Sequence, residues 1–414
     1  MNLKKTAAVL ASLAVICMGS MTMVHAENQT EEAVLETTEN QITESEEKTS
    51  EDSQWTYKVI TNNETGEVYA SLESYLGTDT EITIPSEIDG NVVTTLGDYT
   101  FYENTAITKV KIAETITDFG NFPFFACTSL SDFEVDEKNE IYTVKDGVLM
   151  GDNEQLLICY PPAKTETEYT IPDGVVALNP AAFATCTNLK TVNFPETLER
   201  MGLYCFAECT SLNNVVIPES VDALSDFNFT GCTSLTSITL PDSMHTIGNG
   251  AFFSCTALDS IEFPKYIMEI GQCAFVSTGF TEIEIPSTVQ EIGYSAFGYT
   301  TDQQGQIIAM DTFTVKGLTG TMAQAYCGEN EHVIFESTGD STAETEATEA
   351  TKAEADNSDK EGMKPGVIAG ICAVAAAVVI AVAVVVVKKL RGADDSDDED
   401  SSESQPEDED ITEE

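Results

Sequence analysis

Residues 247–264, IGNGAFFSCTALDSIEFP, recur in altered form along the 414-residue chain. Their LDSIEF part alternates apolar and polar residues, which predicts a β-strand with one buried face. Pro264 ends this strand because proline has no N–H to donate to a neighbouring strand. An apolar residue before a proline marks each repeat. These residues are spaced by 23 positions, and once by 22, and are Ile171, Phe194, Ile217, Leu240, Phe263 and Ile285.

A repeat of this size holds one strand and one apolar return path. It cannot bury its apolar residues alone, so it must stack on copies of itself. The Ile-Gly step of each repeat predicts a turn whose glycine adopts dihedral angles that other residues avoid. Further repeats begin at Ile84 and Ile112, and the long interval from Ile112 to Ile171 indicates an insertion. We therefore predict a mainly β solenoid, a right-handed stack of about eight turns with one parallel sheet.

The repeat resembles the BspA-like leucine-rich repeats found on bacterial surface proteins, here at Ile247-Gly248, Ala251-Phe252, Cys255-Thr256 and Leu258. The resemblance covers residues 54–335 and implies a leucine-rich-repeat solenoid. It also implies a cap at each end, because a bare end would expose core residues and unpaired strand edges. By the same resemblance, the parts of the solenoid are an N-terminal cap at 54–83, a hairpin insertion at 136–170 and a C-terminal cap at 299–335.

The first 26 residues are typical of a signal peptide, with Lys4 and Lys5 before an apolar run and a cleavage site at Val24-His25-Ala26. Cleavage as a lipoprotein at Cys17, or retention as an uncleaved anchor, are the alternatives. If the segment is cleaved, the bulk of the chain lies outside the cell.

Residues 367–387 carry no charge over a length that spans a bilayer as a helix, and Lys388, Lys389 and Arg391 follow directly. We predict a single-pass membrane helix, with residues 388–414 as an acidic cytoplasmic tail. The helix also holds small residues four apart, which favours a weak homodimer; they are Gly366, Gly370, Ala369, Ala373, Ala377 and Ala381.

Acidic residues dominate the composition, with 71 Asp and Glu against 19 Lys and Arg and a net charge of −52. Such a chain repels nucleic acid, so we exclude nucleic-acid binding. Residues 27–53 and 336–365 combine like charges with few large apolar groups, and we predict that both are disordered, the second as a stalk above the membrane.

Cysteines recur at the period of the repeat, at Cys127, Cys186, Cys209, Cys232 and Cys255. Three interpretations stay open: buried thiols, disulfides between neighbouring turns, and a metal site. The buried thiol is favoured because a small apolar cysteine suits a core. The sequence has no CxxC pair and no histidine at a ligand spacing, and parallel side chains hold Cβ atoms wide for a disulfide.

No residue stands in a catalytic signature. After removal of a signal peptide only His245 and His332 remain, and neither belongs to a recognisable Ser-His or Cys-His pattern. Carboxylates are so abundant that any pair suited to glycoside hydrolysis is expected by chance. We therefore predict no catalytic residue, no cofactor and no metal.

Alternation within each strand predicts which side chains face outward. They are small and polar in the middle of the sheet and acidic at one end, and no aromatic residue is among them. Such a face is either simply solvated or a shallow hydrogen-bonding surface for a protein or glycan. The candidate binding face is Thr191, Asn193, Asn214, Val216, Ser237, Thr239, Ser260, Glu262, Glu282 and Glu284.

These features predict a membrane-anchored bacterial surface protein that acts as a non-catalytic adhesion or binding module. A repeat fold does not fix function, so two other classes remain. One is an envelope receptor or sensor that signals through the cytoplasmic tail. The other is a surface enzyme with a dispersed carboxylate site.

Overall fold

A computed structural model describes residues 42–340 of the chain. They form a β-solenoid of about 12 turns with a period of about 23 residues. The prediction of about eight turns is too low because both caps and the insertion also add rungs to the stack. Within residues 42–340 no helix is long and apolar enough to cross a membrane. The predicted signal peptide, membrane helix and cytoplasmic tail lie outside these residues.

The strands predicted from the repeat form the sheet face, but in three parallel blocks rather than one sheet. The first block is β5 (Glu81–Thr83), β8 (Lys109–Ile112) and β10 (Asp132–Val135). The second block is β14 (Glu168–Thr170), β16 (Thr191–Asn193), β18 (Asn214–Val216) and β20 (Ser237–Thr239). The third block is β23 (Glu282–Glu284), β27 (Phe313–Thr319) and β28 (Val333–Asp340).

The return path of each turn contributes a second, shorter series of parallel strands, which the sequence did not predict. Strands one turn apart pair with each other, as Thr246 does with Glu269, except that Arg200–Met201 is not paired with Ala223–Leu224. The strands are β9 (Asp118–Phe119), β15 (Ala177–Leu178), β17 (Arg200–Met201), β19 (Ala223–Leu224), β21 (Thr246–Ile247), β22 (Glu269–Ile270) and β24 (Glu291–Ile292).

The N-terminal cap begins before the predicted boundary at residue 54. Part of the segment predicted to be disordered forms two short strands that pair antiparallel with the first long cap strand, so the prediction of disorder for 27–53 is wrong from residue 42 onward. Backbone pairing and burial of Trp55 offset the ordering entropy there. The cap strands are β1 (Ile42–Glu44), β2 (Lys48–Thr49), β3 (Trp55–Asn62), β4 (Val68–Tyr75), β6 (Glu87–Ile88) and β7 (Asn91–Leu96).

The insertion consists of antiparallel strand pairs, as a hairpin does, and its last strand also adds a rung to the stack. Its strands are β11 (Thr143–Lys145), β12 (Val148–Gly151) and β13 (Leu156–Cys159), and β13 pairs parallel with β15 of the next turn. Alternate side chains serve two separate cores. Met150 and Leu157 join the core on the C-terminal side, whereas Leu149 and Ile158 join the core on the N-terminal side. The inserted segment therefore seals two cores at once.

The C-terminal cap extends to Asp340, five residues beyond the predicted boundary, so the predicted stalk cannot begin at 336. An antiparallel hairpin of β25 (Tyr299–Thr301) and β26 (Ile307–Ala309) precedes β27. Helix α1 (Met322–Glu329) then connects β27 to β28, which are parallel. Ala323 and Tyr326 of the helix cover the end of the core.

A row of aromatic rings, one per turn, fills the centre of the C-terminal core. Phe183 and Phe206 stack with ring centroids 4.9 Å apart, and Phe229 and Phe252 with centroids 5.8 Å apart. Tyr160 of the insertion takes the same place, 5.3 Å from Phe183. The insertion therefore continues the aromatic row as a regular turn would.

The glycine of the Ile-Gly step is required for close approach and not for its dihedral angles, which corrects the prediction. A Cβ on Gly248 would lie 2.7 Å from the backbone nitrogen of Asp226, one turn away, and a Cβ on Gly271 would lie 2.5 Å from that of Asn249. Positive φ falls on other residues of the same segment, such as Tyr204 (56°).

Candidate functional site

All ten residues of the candidate binding face are solvent-exposed, as alternation predicts. Their neighbours along each strand are buried: Val192, Val215 and Ile238 are at most 7% exposed. Eight of the ten lie in β16, β18, β20 and β23, whereas Ser260 and Glu262 lie in a segment that is not a strand. No observation tests whether these residues bind anything, so their role stays a prediction.

Polar side chains of the face bond to each other across neighbouring strands. The Asn193 amide donates to Glu168 Oε1 and to Thr170 Oγ1, both at 3.0 Å. Ser237 Oγ donates to Asn214 Oδ1 at 2.6 Å. These contacts hold the polar side chains in fixed positions, which lowers the entropy that a ligand would have to offset on binding.

The two ends of the sheet face differ in how far their charges are neutralised. At the N-terminal end, Lys109 lies 3.2 Å from both Asp132 and Glu134, and Lys111 lies 2.9 Å from Glu134. These lysines lower the pKa of Glu134 through hydrogen bonds and charge. Ion pairs across neighbouring strands therefore neutralise most of the charge at this end.

At the C-terminal end, one lysine faces several carboxylates. Lys316 lies 2.7 Å from Glu282. Within residues 42–340, Glu262 and Glu284 make no ion pair with any basic side chain. This end therefore keeps its negative charge and attracts basic groups.

Between β20 and β23 the sheet face is interrupted. Thr236 N donates to Asn213 O at 2.9 Å, as the ladder requires, but the segment 259–263, one turn later, is paired with neither β20 nor β23. Its inward side chains, Ile261 and Phe263, are only partly buried. We call residues 259–263 the broken rung.

The recurring cysteines point inward and bond to the backbone. Each is at most 1% exposed, and the Sγ of Cys209 and that of Cys255 donate at 3.0 Å to carbonyl oxygens of the preceding turn, those of Phe183 and Phe229. Cys127, Cys186 and Cys232 make the same contact, to Phe101, Tyr160 and Phe206. Burial raises the pKa of the Cys127 thiol to about 12 and that of Cys255 further.

Glu208 is a partly buried carboxyl in the return path. Burial raises its pKa to about 7, and its Oε1 would clash with a Cβ on Gly231. Its charge acts on the thiols of Cys232 and Cys255, and no second carboxylate contributes to its shift. A glycosidase needs two carboxyl groups at a defined separation, so Glu208 alone does not form such a site.

The two histidines lie apart from any nucleophile–base arrangement. His245 is exposed on the return path. His332 is part of the C-terminal cap, where its Nε2 lies 2.9 Å from Gly298 O and its ring packs edge-on against Tyr299. Within residues 42–340 no group of three or more His, Cys, Asp and Glu side chains is arranged to hold a metal ion.

Comparisons with known proteins find distant structural neighbours. A search of curated proteins gave no match. Among solved structures, a leucine-rich repeat protein from Eubacterium ventriosum is 18% identical over 58% of this chain and 96% of its own, with a TM-score of 0.33. A leucine-rich cell surface protein from Faecalibacterium prausnitzii is 21% identical over 69% and 94%, with a TM-score of 0.27. The pneumococcal vaccine antigen PcpA is 14% identical over 71% and 97%, with a TM-score of 0.37.

The family assignment rests on the repeat itself rather than on these distant structures. The model of the BspA-type leucine-rich repeat region matches six copies, at residues 76–153 and 176–304, which together are half of the chain. The repeat residues Gly248, Phe252 and Cys255, from which the resemblance was inferred, lie within the second matched region. The chain therefore belongs to the BspA-type leucine-rich repeat family.

Proposed function

We propose that the protein is a non-catalytic binding module of a bacterial cell surface, anchored by the helix predicted at 367–387, and that it contacts protein or glycan partners through its sheet face. The observation that carries the proposal is the candidate binding face itself. All ten of its residues are exposed, on neighbouring turns of one solenoid. Repeated strands of this kind create an extended surface that suits large partners.

The chemistry of the face favours shallow, polar contacts. Asn193, Asn214 and Ser237 are positioned by hydrogen bonds to neighbouring side chains, so a partner meets donors and acceptors that are already ordered. Val216, 64% exposed, is an apolar contact among them. At the acidic end, binding should depend on salt because exposed charges are screened within about 10 Å at 0.1 M ionic strength.

The test is to probe arrays of extracellular proteins and glycans with the full-length chain at low and high salt. We expect at least one partner whose binding weakens when Asn193→Lys and Asn214→Lys are combined. The matched control is Glu196→Lys with Glu219→Lys, which changes exposed residues outside the sheet face. Equal binding by both double variants would show that the sheet face is not the contact surface.

Anchoring is tested separately, on intact cells. Protease added outside should release residues 42–340 as a fragment, whereas a chain lacking residues 367–387 should appear in the medium without protease. A full-length chain recovered only from the cell interior would contradict both the anchor and the proposed location.

A further inference from the structure

The turn of residues 259–270 departs from its neighbours in three ways that point to one function. The first is the broken rung. Successive rungs are joined by main-chain hydrogen bonds, such as Asn213 N to Lys190 O at 3.1 Å and Thr236 N to Asn213 O at 2.9 Å. The broken rung makes none of these bonds on either side, so its N–H and C=O groups have no partner among residues 42–340, whereas the adjacent Leu258 O accepts from Gly279 N at 2.8 Å. Unpaired strand groups are a template for another extended chain.

The second departure is exposed apolar surface. Ile261 is partly buried, whereas Val192, Val215 and Ile238, the corresponding residues of the three preceding turns, are at most 7% exposed. In the same turn, Tyr266 is 49% and Met268 is 40% exposed. Tyrosine and methionine are enriched at protein interfaces, and apolar side chains grouped in one exposed turn mark interaction sites.

The third departure is an excess of negative over positive charge. Glu262 extends from the broken rung and Glu284 from the adjacent strand β23, and neither forms an ion pair within residues 42–340. Asp259, at the start of the broken rung, is also exposed. A partner with basic side chains would be complementary to these carboxylates, and complementary charge speeds encounter and fixes register.

We propose that residues 259–270 are the docking site for an extended segment of a partner protein in which basic and apolar side chains alternate. Main-chain groups of the segment bond to the broken rung, its basic side chains pair with Glu262 and Glu284, and its apolar side chains pack on Tyr266 and Met268. This inference rests on the proposed function and narrows it to one turn and one class of partner. An extended strand rises about 3.3 Å per residue, so a short segment reaches from the rung to Tyr266.

The direct test uses a ten-residue synthetic peptide that alternates lysine and valine, with binding to the full-length chain followed by fluorescence anisotropy. We expect saturable binding to the wild type. Glu262→Lys should weaken it by at least about tenfold, because it replaces attraction with repulsion. Tyr266→Ser should weaken it as well. Glu219→Lys is the matched control, an exposed glutamate two turns away, and should bind as the wild type does.

The role of the main chain is tested with a matched pair of proline variants. Ser260→Pro removes an N–H that no ladder bond uses, so it should leave thermal unfolding unchanged and weaken peptide binding. Ser237→Pro, one turn earlier, removes an N–H that donates to Asn213 O and should lower the unfolding temperature. A peptide methylated at alternate backbone nitrogens should bind more weakly than its unmethylated form.

The outcomes separate this inference from the proposed function. Equal peptide binding by wild type, Glu262→Lys and Ser260→Pro would overturn the docking site. A protein or glycan that binds wild type and Glu262→Lys alike would overturn it too, while leaving the proposed function standing. A dimer of the chain that Glu262→Lys dissociates would show that a second copy, and not a basic segment, occupies the turn. If the wild type binds neither the peptide nor any array member, the proposed function itself fails.

Discussion

Strand β20 and the broken rung occupy equivalent places in successive turns, yet only β20 belongs to a sheet. Ser237 and Thr239 pair with Asn214 and Val216 of β18, whereas residues 259–263 pair with no strand. The return path of the same turn stays regular, because β22 is paired with β21 and with β24. The comparison teaches that a solenoid can lose its ladder on one side of a turn while the other side keeps the stack together.

The largest effect is expected from replacing two phenylalanines that differ in burial, Phe252 in the core and Phe263 in the broken rung. Phe252 is fully buried and stacks on Phe229 and Phe275, so Phe252→Ala should lower the free energy of unfolding by about 3–5 kcal/mol. Phe263 is only partly buried, so Phe263→Ala should cost less than about 2 kcal/mol. Chemical denaturation measures both. Equal losses would mean that the broken rung is as well packed as the others.

Two glycine substitutions test whether the return path after the broken rung is packed as closely as that of the turn before. Gly248→Ala and Gly271→Ala each place a Cβ against the backbone of the preceding turn and should each cost about 1–3 kcal/mol. If the turn of residues 259–270 were loose on both sides, Gly271→Ala would be tolerated. Gly328→Ala in helix α1 is the control, since nothing lies within 4 Å of its Cβ and alanine favours a helix.

The partly buried carboxyl of Glu208 contrasts with the exposed one of Glu262. Because burial raises the folded pKa of Glu208 to about 7, above the value of 4.5 for an unperturbed glutamate, the folded state binds more protons between these values. Stability should therefore fall as pH rises from about 4.5 to 7, by on the order of 1–3 kcal/mol from this residue. Glu208→Gln should remove that decline in pH-dependent denaturation. Glu262→Gln should leave it unchanged, and a decline that persists in Glu208→Gln would contradict the assignment.

The smallest predicted effect is a difference in amide hydrogen exchange between two segments. Amides of the broken rung should exchange with deuterium at least about tenfold faster than those of β20, because exchange is slowed by ladder hydrogen bonds. Hydrogen-exchange mass spectrometry resolves the two segments, 237–239 and 259–263. Equal protection would mean that the ladder does form in solution and would remove the basis of the docking site.

Most of the fold could be predicted from the spacing of a few residue types. The 23-residue period predicted the stack, and alternation predicted the inward and outward sides of β16, β18, β20 and β23. The position of Cys255 in the repeat predicted a buried thiol. The reason for Gly248 could not be read from one repeat, since the atom it avoids belongs to the preceding turn. Only the stack reveals a close approach between residues 22 apart.

The broken rung, and the way the insertion joins the stack, were not predicted, for related reasons. Ser260 and Glu262 fit the alternation as well as Ser237 and Thr239 do, so the pattern predicted a strand where none forms. The available signal was the single 22-residue step that ends at Ile285. The insertion was read as an addition to the stack because its period differs, although apolar residues on both faces of β12 and β13 indicate burial between two cores.

The accessibility of the buried thiols can report where the solenoid opens. Cys127, Cys186, Cys209, Cys232 and Cys255 each donate to the backbone of the turn before, and reagents that need a thiolate cannot reach them while that contact holds. An opening between two turns would release one thiol at a known position. The labelling rate of each cysteine would thus show which turn of the solenoid opens first. No added probe is needed.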